Sequence, residues 1–155
     1  EFVEDREDVL TFLSPVLSED MIVAGGITAE LFASISTTDA DFVVKLIDVG
    51  PNGESEMMVR ANIMRGRYRN SFSEPEAFTP GMVERIEVNL TDVAHTFLAG
   101  HRIKVQVQSS WFPLFDRNPQ QFIDIYKAGK EDFIPSQIKI FHDAEHPSAI
   151  HFNVM

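Results

Sequence analysis

Five histidines and 24 acidic residues are the side chains in this 155-residue sequence that are suited to acid–base or metal chemistry. His142 and His146 stand four positions apart, and on a helix this spacing places two imidazoles on one face as zinc ligands. The glutamate of that motif is missing after the first histidine, and Pro147 follows the second. We therefore interpret residues 142–148 as a polar turn between two strands.

Oxygen ligands for calcium are offered by Asp39 with Asp41, and by Asp48 with Asn52 and Glu54. Neither set has the spacing of an EF-hand loop. Acids and amides of this kind commonly stabilise turns, because their short side chains bond to nearby backbone groups. We interpret both sets as ordinary turn residues, and predict that the chain binds no metal and no other cofactor.

The residues of a nucleophilic catalyst are not recognisable in the sequence. Cysteine is absent, which excludes thiolate chemistry. None of the eight glycines brackets a serine in the Gly-x-Ser-x-Gly pattern that presents the nucleophile of α/β-hydrolases. A triad assembled in space from distant residues stays open, but no spacing indicates one. We predict no catalytic residue in this chain.

The most distinctive segment, residues 100–118, joins a strand to an aromatic loop. Apolar and polar residues alternate from Ile103 to Gln108, which is the pattern of a half-buried strand. Large aromatic residues then follow in a loop broken by Pro113. Such a loop is costly to expose to water, so it either plugs the end of the core or contacts a partner. The candidate contact residues are Trp111, Phe112, Pro113, Leu114 and Phe115.

The three residues after this loop, Asp116, Arg117 and Asn118, are expected to form a structural corner. Asp116 and Arg117 can make a buried ion pair, and Asn118 can bond to backbone groups. Either role of the aromatic loop would need such a corner to fix its path.

Arginines occupy alternate positions at Arg65, Arg67 and Arg69, with Tyr68 among them. Cations interleaved with aromatic rings also occur on nucleic-acid-binding surfaces. The net charge of −11, however, repels a phosphate backbone or an anionic lipid surface, so we predict neither a nucleic-acid nor a membrane partner. The arginines pair with neighbouring acids, or Arg67 and Arg69 contact an acidic patch on another domain.

Strands must position these residues, because alternation recurs along the chain and no stretch of ten residues has a helical stripe between caps. The turn at 50–53 predicts a hairpin between its flanking strands. Residues 91–99 are ambiguous and fit one helical turn. Strands are predicted at 8–13, 21–35 with a bend at 25–26, 42–49, 57–65, 82–90, 100–108, 138–141 and 150–154.

Eight or so strands with few or no helices predict one all-β domain, a jelly-roll β-sandwich. The length suits a single domain with one core. Because 13 of the residues are phenylalanine, we expect that core to be rich in phenylalanine.

Four stretches, in order, carry a family resemblance: DVLTF at 8–12, TDADFVVKLIDV at 38–49, RYRNSF at 67–72, and GHRI through SSWFP to FDRN within 100–118. The sequence resembles the C-terminal domain of the CocE/NonD serine hydrolases. That group includes cocaine esterase, glutaryl-7-aminocephalosporanic acid acylases, α-amino acid ester hydrolases and X-Pro dipeptidyl-peptidases. HDAEHPS at 142–148 resembles the family's ending, whereas residues 119–126 depart most from its pattern.

This resemblance implies a galactose-binding-like jelly roll that follows an α/β-hydrolase domain and helps to wall its active site. Residues 1–155 would be a single C-terminal domain of a larger serine esterase, acylase or dipeptidyl-peptidase, inactive alone. The implied partner is the α/β-hydrolase domain of the same polypeptide, with a homo-oligomer as a further option. Both a cytoplasmic and a periplasmic or secreted location stay open. The contact would involve Arg67, Arg69, Trp111, Phe112 and Phe115.

Two other functions fit the same architecture. A carbohydrate-binding module of a multidomain glycosidase would use exposed aromatic side chains at one end of the sandwich. A domain that only forms an oligomer interface would also expose an apolar patch.

Overall fold

The computed structural model describes residues 6–155, in which two antiparallel β-sheets pack face to face. One sheet has the strand order β1-β6-β3-β4, and the other has the order β5-β2-β7, with β8 also paired to β2. The strands are β1 (Val9–Leu13), β2 (Met21–Ile35), β3 (Asp41–Val49), β4 (Glu56–Arg65), β5 (Glu84–Phe97), β6 (Arg102–Gln108), β7 (Ile138–Phe141) and β8 (Ala149–His151). This arrangement confirms the predicted all-β jelly-roll sandwich, while the likeness to galactose-binding domains stays a prediction.

β3 is a central strand, paired with β4 on one side and with β6 on the other. The predicted hairpin between β3 and β4 is confirmed. At its turn Asn52 and Gly53 adopt φ angles of 58° and 74°, in the left-handed region that these two residue types tolerate best. β3 and β4 therefore have a fixed register, in which Asp41 lies opposite Arg65.

The core lies between the two sheets and consists mainly of aliphatic side chains. Of the 13 phenylalanines, Phe42, Phe78 and Phe97 belong to the buried cluster. The expectation of a phenylalanine-rich core is therefore wrong. Two sheets about 10 Å apart are filled well by β-branched residues, which also favour the extended backbone, and several phenylalanines lie at the surface instead.

β5 is longer than expected, because the predicted helical turn at 91–99 is strand up to Phe97. Thr91 has a φ of 70°, and the pairing of β5 with β2 shifts register at this point. One extra residue in a strand reverses which side chains face the core. The buried positions accordingly change from even numbers, such as Leu90, to odd numbers, such as Phe97.

The two long edges of the sandwich differ. Arg60 and Asn62 of β4 donate hydrogen bonds to backbone carbonyl oxygens of β5, which joins the sheets along that edge. The opposite edge is open, and an apolar groove of about 310 Å³ lies there between β1 and β7 with β8. β8 ends at His151 and not, as expected, at Val154, which makes an isolated bridge to Val23.

No helix in the described residues is long and apolar enough to cross a membrane.

Candidate functional site: the aromatic surface and its buried anchor

Large apolar side chains project into solvent around the loop that follows β6. Leu114 is 66% exposed and Phe112 is 64% exposed, while Phe72 and Tyr126, from two other loops, are 83% and 82% exposed. We call this set the aromatic surface; its members are Phe72, Phe112, Pro113, Leu114, Phe115 and Tyr126. All but Phe112 line one open concavity of about 420 Å³. The loop does not plug the core.

Trp111 lies at the base of this loop, half-buried. Its ring packs at a tilt against the Phe115 ring, with 5.9 Å between centroids. The Nζ atom of Lys45, on β3, lies 5.7 Å from the Trp111 ring centroid. Lys45 is on the face of its sheet that points away from the core, so Trp111 covers part of that outer face.

A buried ion pair fixes the segment after the loop. Asp39 is completely buried, and the Arg67 Nε and Nη2 atoms lie 2.8 and 2.6 Å from its Oδ2 atom. The same guanidinium donates to the backbone oxygens of Ile123, at 2.8 Å, and Gln121, at 3.3 Å. One side chain therefore ties residues 121–123 to the start of β3. Each charge has a partner, as burial demands.

Asn118 extends this network to a second acid. Its Nδ2 atom donates to Asp39, at 3.0 Å, and to Asp41, at 2.9 Å, while its Oδ1 atom accepts the backbone N–H of Gln120. Arg65 donates to both carboxylate oxygens of Asp41, at 3.3 Å, and to the backbone oxygen of Asp116, at 3.1 Å. We call Asp39, Asp41, Arg65, Arg67 and Asn118 the anchor.

Burial raises the pKa of the Asp41 carboxyl above its ordinary value of 3.8. The hydrogen bond from Asn118 and the charge of Arg65 act in the opposite direction, because both favour the ionised form. The neighbouring Asp39 carboxylate adds to the upward shift. Two acids in one buried network therefore need the two guanidinium groups beside them.

Gly66 explains how Arg67 reaches Asp39. A β-carbon at Gly66 would lie 2.5 Å from the backbone oxygen of Ala40 and 2.6 Å from the Phe78 ring, distances that real structures do not tolerate. Glycine therefore lets the chain turn tightly after β4, in a short 3₁₀ turn that carries Arg67. The backbone N–H of Gly66 donates to Ala40 at 2.8 Å, which holds the turn against the start of β3.

The interpretation of Asp39 and Asp41 as ordinary turn residues is wrong, because both are buried and bound to arginines. A signal for this exists in the sequence. In the hairpin register Asp41 lies opposite Arg65, so two residues further out Asp39 comes level with Arg67. Two acids two positions apart at the start of one strand, and two arginines two positions apart at the end of its hairpin partner, indicate paired charges.

Arg67 and Arg69, which we expected at a contact with another domain, are held within this one. Arg69 donates to Glu84 at 2.6 Å and lies over the Phe78 ring, 3.9 Å from its centroid. Its side chain, like that of Arg67, is buried. Phe112 is exposed and Phe115 is partly exposed. A role of these residues and of Trp111 at an interface stays a prediction.

The expected corner depends on Asn118, which is the buried member of the three residues. Asp116 is exposed and contributes its backbone oxygen, and Arg117 lies over the Phe133 ring, 4.9 Å from its centroid. The ion pairs that fix this region are those of the anchor, and not the Asp116–Arg117 pair that we expected. Phe72 and Tyr126 were not predicted as members of this surface, because isolated apolar residues in loops carry no periodic signal.

The histidines lie elsewhere. At the far end of β3, Asp48 accepts hydrogen bonds from His95 Nε2 and His101 Nδ1, both at 2.8 Å. His142 and His146 belong to a turn, in which Asp143 accepts the backbone N–H of His146. Across residues 6–155 no three histidine or acidic side chains are grouped so that they could hold a metal ion.

Residues 3–151 match the family model described as the X-Pro dipeptidyl-peptidase C-terminal non-catalytic domain. The chain is 36% identical over 148 residues to cocaine esterase from Rhodococcus sp. (strain MB1 Bresler), which covers 96% of this chain and 26% of that protein.

Two solved structures superpose on the chain, each with a TM-score of 0.96. An aminopeptidase from the marine sediment archaeon Thaumarchaeota archaeon is 44% identical, over 99% of this chain and 27% of its own. An α-amino acid ester hydrolase is 42% identical, over 99% of this chain and 26% of its own. The chain thus spans about a quarter of the length of these relatives.

Proposed function

Because the chain belongs to the family of X-Pro dipeptidyl-peptidase C-terminal non-catalytic domains, of the CocE/NonD hydrolase type, we propose that it is one domain of a longer serine hydrolase. Its partner is the α/β-hydrolase domain of the same polypeptide, which carries the nucleophile. The 155 residues form a single domain whose task is to pack against that partner and to wall one side of its acyl pocket.

The aromatic surface is the observation that supports this proposal best. Its large side chains are exposed around one concavity. Covering apolar surface stabilises a contact by about 25 cal/mol for each Å² removed from water. Contiguous patches of this kind on a folded domain commonly mark an interface, and aromatic residues are enriched in the buried centres of interfaces.

The anchor makes this surface suitable as a wall. Arg67 and Asn118 fix residues 118–123 against the start of β3, so the loop before them leaves the sandwich along a defined path. A rigid surface loses little conformational entropy on contact, which favours a tight interface. It also keeps a neighbouring pocket in one shape, as water exclusion during acyl transfer requires.

The reaction of the parent enzyme is proposed from its relatives. These are described as a cocaine esterase, an aminopeptidase and an α-amino acid ester hydrolase, whose names refer to ester or peptide bonds. We assign to the parent the hydrolysis of an ester or amide bond through an acyl-enzyme. In that reaction this domain supplies apolar surface and no reacting group.

The test uses the full-length hydrolase with Leu114→Ser and Phe112→Ser introduced together. We expect kcat/KM for a p-nitrophenyl ester to fall about tenfold or more, which corresponds to about 1.4 kcal/mol of lost transition-state stabilisation. Met57→Ser is the control, since Met57 is a large apolar residue that is 53% exposed but belongs to the opposite end of the hairpin. Equal activity of all three enzymes would exclude a role of the aromatic surface in the pocket.

The 155-residue chain alone should not hydrolyse p-nitrophenyl esters. Hydrolysis that disappears when one serine is replaced would overturn the non-catalytic assignment. The single tryptophan, Trp111, reports on ligands, because its ring packs against Phe115 at the aromatic surface. A saturable fluorescence change with an oligosaccharide would favour a carbohydrate-binding module, and sedimentation of the full-length protein would detect an oligomer interface.

A further inference from the structure

A positive charge on the outer face of the β1-β6-β3-β4 sheet has no counter-ion in residues 6–155. Lys45 lies in the middle of β3, and its cross-strand neighbours are Ala61 on β4 and Gln106 on β6. Its ammonium group lies beside the Trp111 ring and makes no ion pair or hydrogen bond with a described side chain. It is partly removed from water by the side chains around it.

The other basic residues of this face differ from Lys45. Lys104 pairs with Glu56, Arg65 pairs with Asp41, and Arg102 donates to the backbone oxygen of Ser14. Burial lowers the pKa of Lys45, and the nearby positive charge of Arg6 lowers it further. A half-buried cation beside another cation is unfavourable unless an anion comes close. Arg6 is itself paired with Asp8, and no described acidic residue forms an ion pair with Lys45.

A second unsatisfied group lies on the same face. The Gln108 side chain is buried, and its Oε1 atom has no hydrogen-bond partner among the described residues, whereas its Nε2 atom donates to the backbone oxygen of Ser110. Gln108 is paired with Val43, two residues from Lys45 along β3. A buried acceptor without a donor costs free energy comparable to a lost hydrogen bond. An anion beside Lys45 and a hydrogen-bond donor beside Gln108 would satisfy both groups, and a partner on the outer face of this sheet could supply both.

We propose that a carboxylate of the catalytic domain binds Lys45, and that the outer face around Lys45, Trp111 and Gln108 belongs to the interdomain contact. This inference rests on the proposed function, because the occupant is the α/β-hydrolase domain of the same polypeptide. The absence of a described counter-ion at Lys45 supports it. Continuity supports it as well, because the Trp111 ring lies beside Lys45 and also packs against Phe115 of the aromatic surface. The contact thus extends from the aromatic loop onto the sheet.

Zero-length cross-linking tests the proposal directly. A carbodiimide joins an amine to a carboxylate only where the two are in contact. In the full-length hydrolase we expect the peptide that contains Lys45 to be joined to an aspartate or glutamate upstream of this domain. Lys139, an exposed lysine on the other sheet, is the control and should give no such product. The proposal fails if Lys45 gives no product, or one only with this domain, or one with a second copy.

Charge reversal gives a second, independent readout. Lys45→Glu should lower the melting temperature of the full-length protein by about 2–4 °C. The same substitution should leave the melting temperature of the 155-residue chain unchanged, since Lys45 makes no ion pair within residues 6–155. Lys139→Glu should change neither. An equal loss in both proteins would mean that Lys45 acts within this domain, which would also overturn the proposal.

These outcomes separate this inference from the proposed function. If Leu114→Ser with Phe112→Ser impairs the full-length enzyme while Lys45→Glu does not, the domain walls the pocket but its outer sheet face is not part of the contact. If neither impairs it, the proposed function fails as well. A carboxylate of the substrate in place of one from the protein would give no cross-link, and would raise KM in Lys45→Glu without changing the melting temperature.

Discussion

Aspartates are buried at both ends of β3, but they are bound by different side chains and connect different parts of the domain. At the start of the strand, Asp39 and Asp41 are bound by the guanidinium groups of Arg67 and Arg65, which in turn hold backbone oxygens in loops. At the other end, Asp48 is bound by the imidazoles of His95, on β5 of the other sheet, and of His101, which directly precedes β6. The first arrangement positions what lies outside the sandwich, and the second links its two layers.

This difference follows from the donors. A guanidinium has five N–H groups in a fixed plane, so it can satisfy a carboxylate and still bind two carbonyl oxygens. Each histidine instead offers Asp48 one ring nitrogen, Nε2 of His95 and Nδ1 of His101. Arginine therefore suits the end that must organise loops, and histidine is sufficient where two strands need only be joined.

The largest expected effect is at the arginine end. Arg67→Met would leave Asp39 buried without a counter-ion, and should lower the free energy of unfolding by about 3–5 kcal/mol. The measurement is urea denaturation of the 155-residue chain. Arg85→Met is the control, because Arg85 pairs with Glu30 at an exposed position.

If Arg67→Met does not fold, Arg67→Lys is the second variant. It keeps the positive charge but loses the planar guanidinium that binds several acceptors, so it should fold with a smaller loss in the free energy of unfolding. If the Arg67→Met protein is as stable as the Arg85→Met protein, the anchor does not stabilise the domain at the start of β3.

At the histidine end the expected loss is smaller. Asp48→Asn keeps the shape of the side chain and can still bond to one imidazole, so we expect a loss of about 1–2 kcal/mol. The same denaturation experiment measures it. The contrast between the two ends is refuted if Asp48→Asn costs as much as Arg67→Met.

A third prediction concerns pH. Since burial raises the pKa of Asp41 in the folded chain, the folded state binds a proton more readily than the unfolded state. The stability that Asp41 contributes is therefore fully present below its ordinary pKa of 3.8, and is lost as the pH rises through the raised value.

Asp41→Asn removes this dependence. The free energy of unfolding of the natural chain minus that of the variant should fall with rising pH across that window, as measured by urea denaturation at stepped pH. A difference that stays flat or rises would mean that the charge of Arg65 outweighs the burial of Asp41.

The smallest effect is expected at the aromatic surface itself. Leu114→Ser in the 155-residue chain should change the free energy of unfolding by no more than about 0.5 kcal/mol, because the side chain is largely exposed. A loss above about 1.5 kcal/mol would place this loop in the core of the domain, and would remove the separation between the loop and its anchor.

Most of the fold follows from the alternation of apolar and polar residues, because one face of each strand is buried. β7 was predicted at its observed bounds, and the hairpin after β3 follows from its Asn-Gly turn. The end of β5 could not be predicted, since the extra residue near Thr91 reverses the alternation and breaks the pattern. The alternation of apolar and polar residues shows which face of a strand is buried, but not the position at which a bulge reverses that face.

The candidate site was less accessible to sequence reasoning. The aromatic loop is visible from composition, but Phe72 and Tyr126 reach the same surface from loops far apart in sequence. The burial of Asp39 depends on Gly66, which brings Arg67 within reach, and such close approach has no sequence period. Contacts made by loops depend on where the chain turns, and a single sequence does not report that.

The separation between the anchor and the exposed loop has a consequence for how such enzymes can be redesigned. Residues 112–115 are joined to the domain by Trp111, which is half-buried beside Lys45, and by the anchor residue Asn118 after them. We expect these four residues to tolerate exchange for sequences of other size and polarity with little loss of the stability of the sandwich. If the domain walls the pocket as we propose, a library confined to these four positions would vary the substrate range of the parent hydrolase without touching any residue that performs its chemistry.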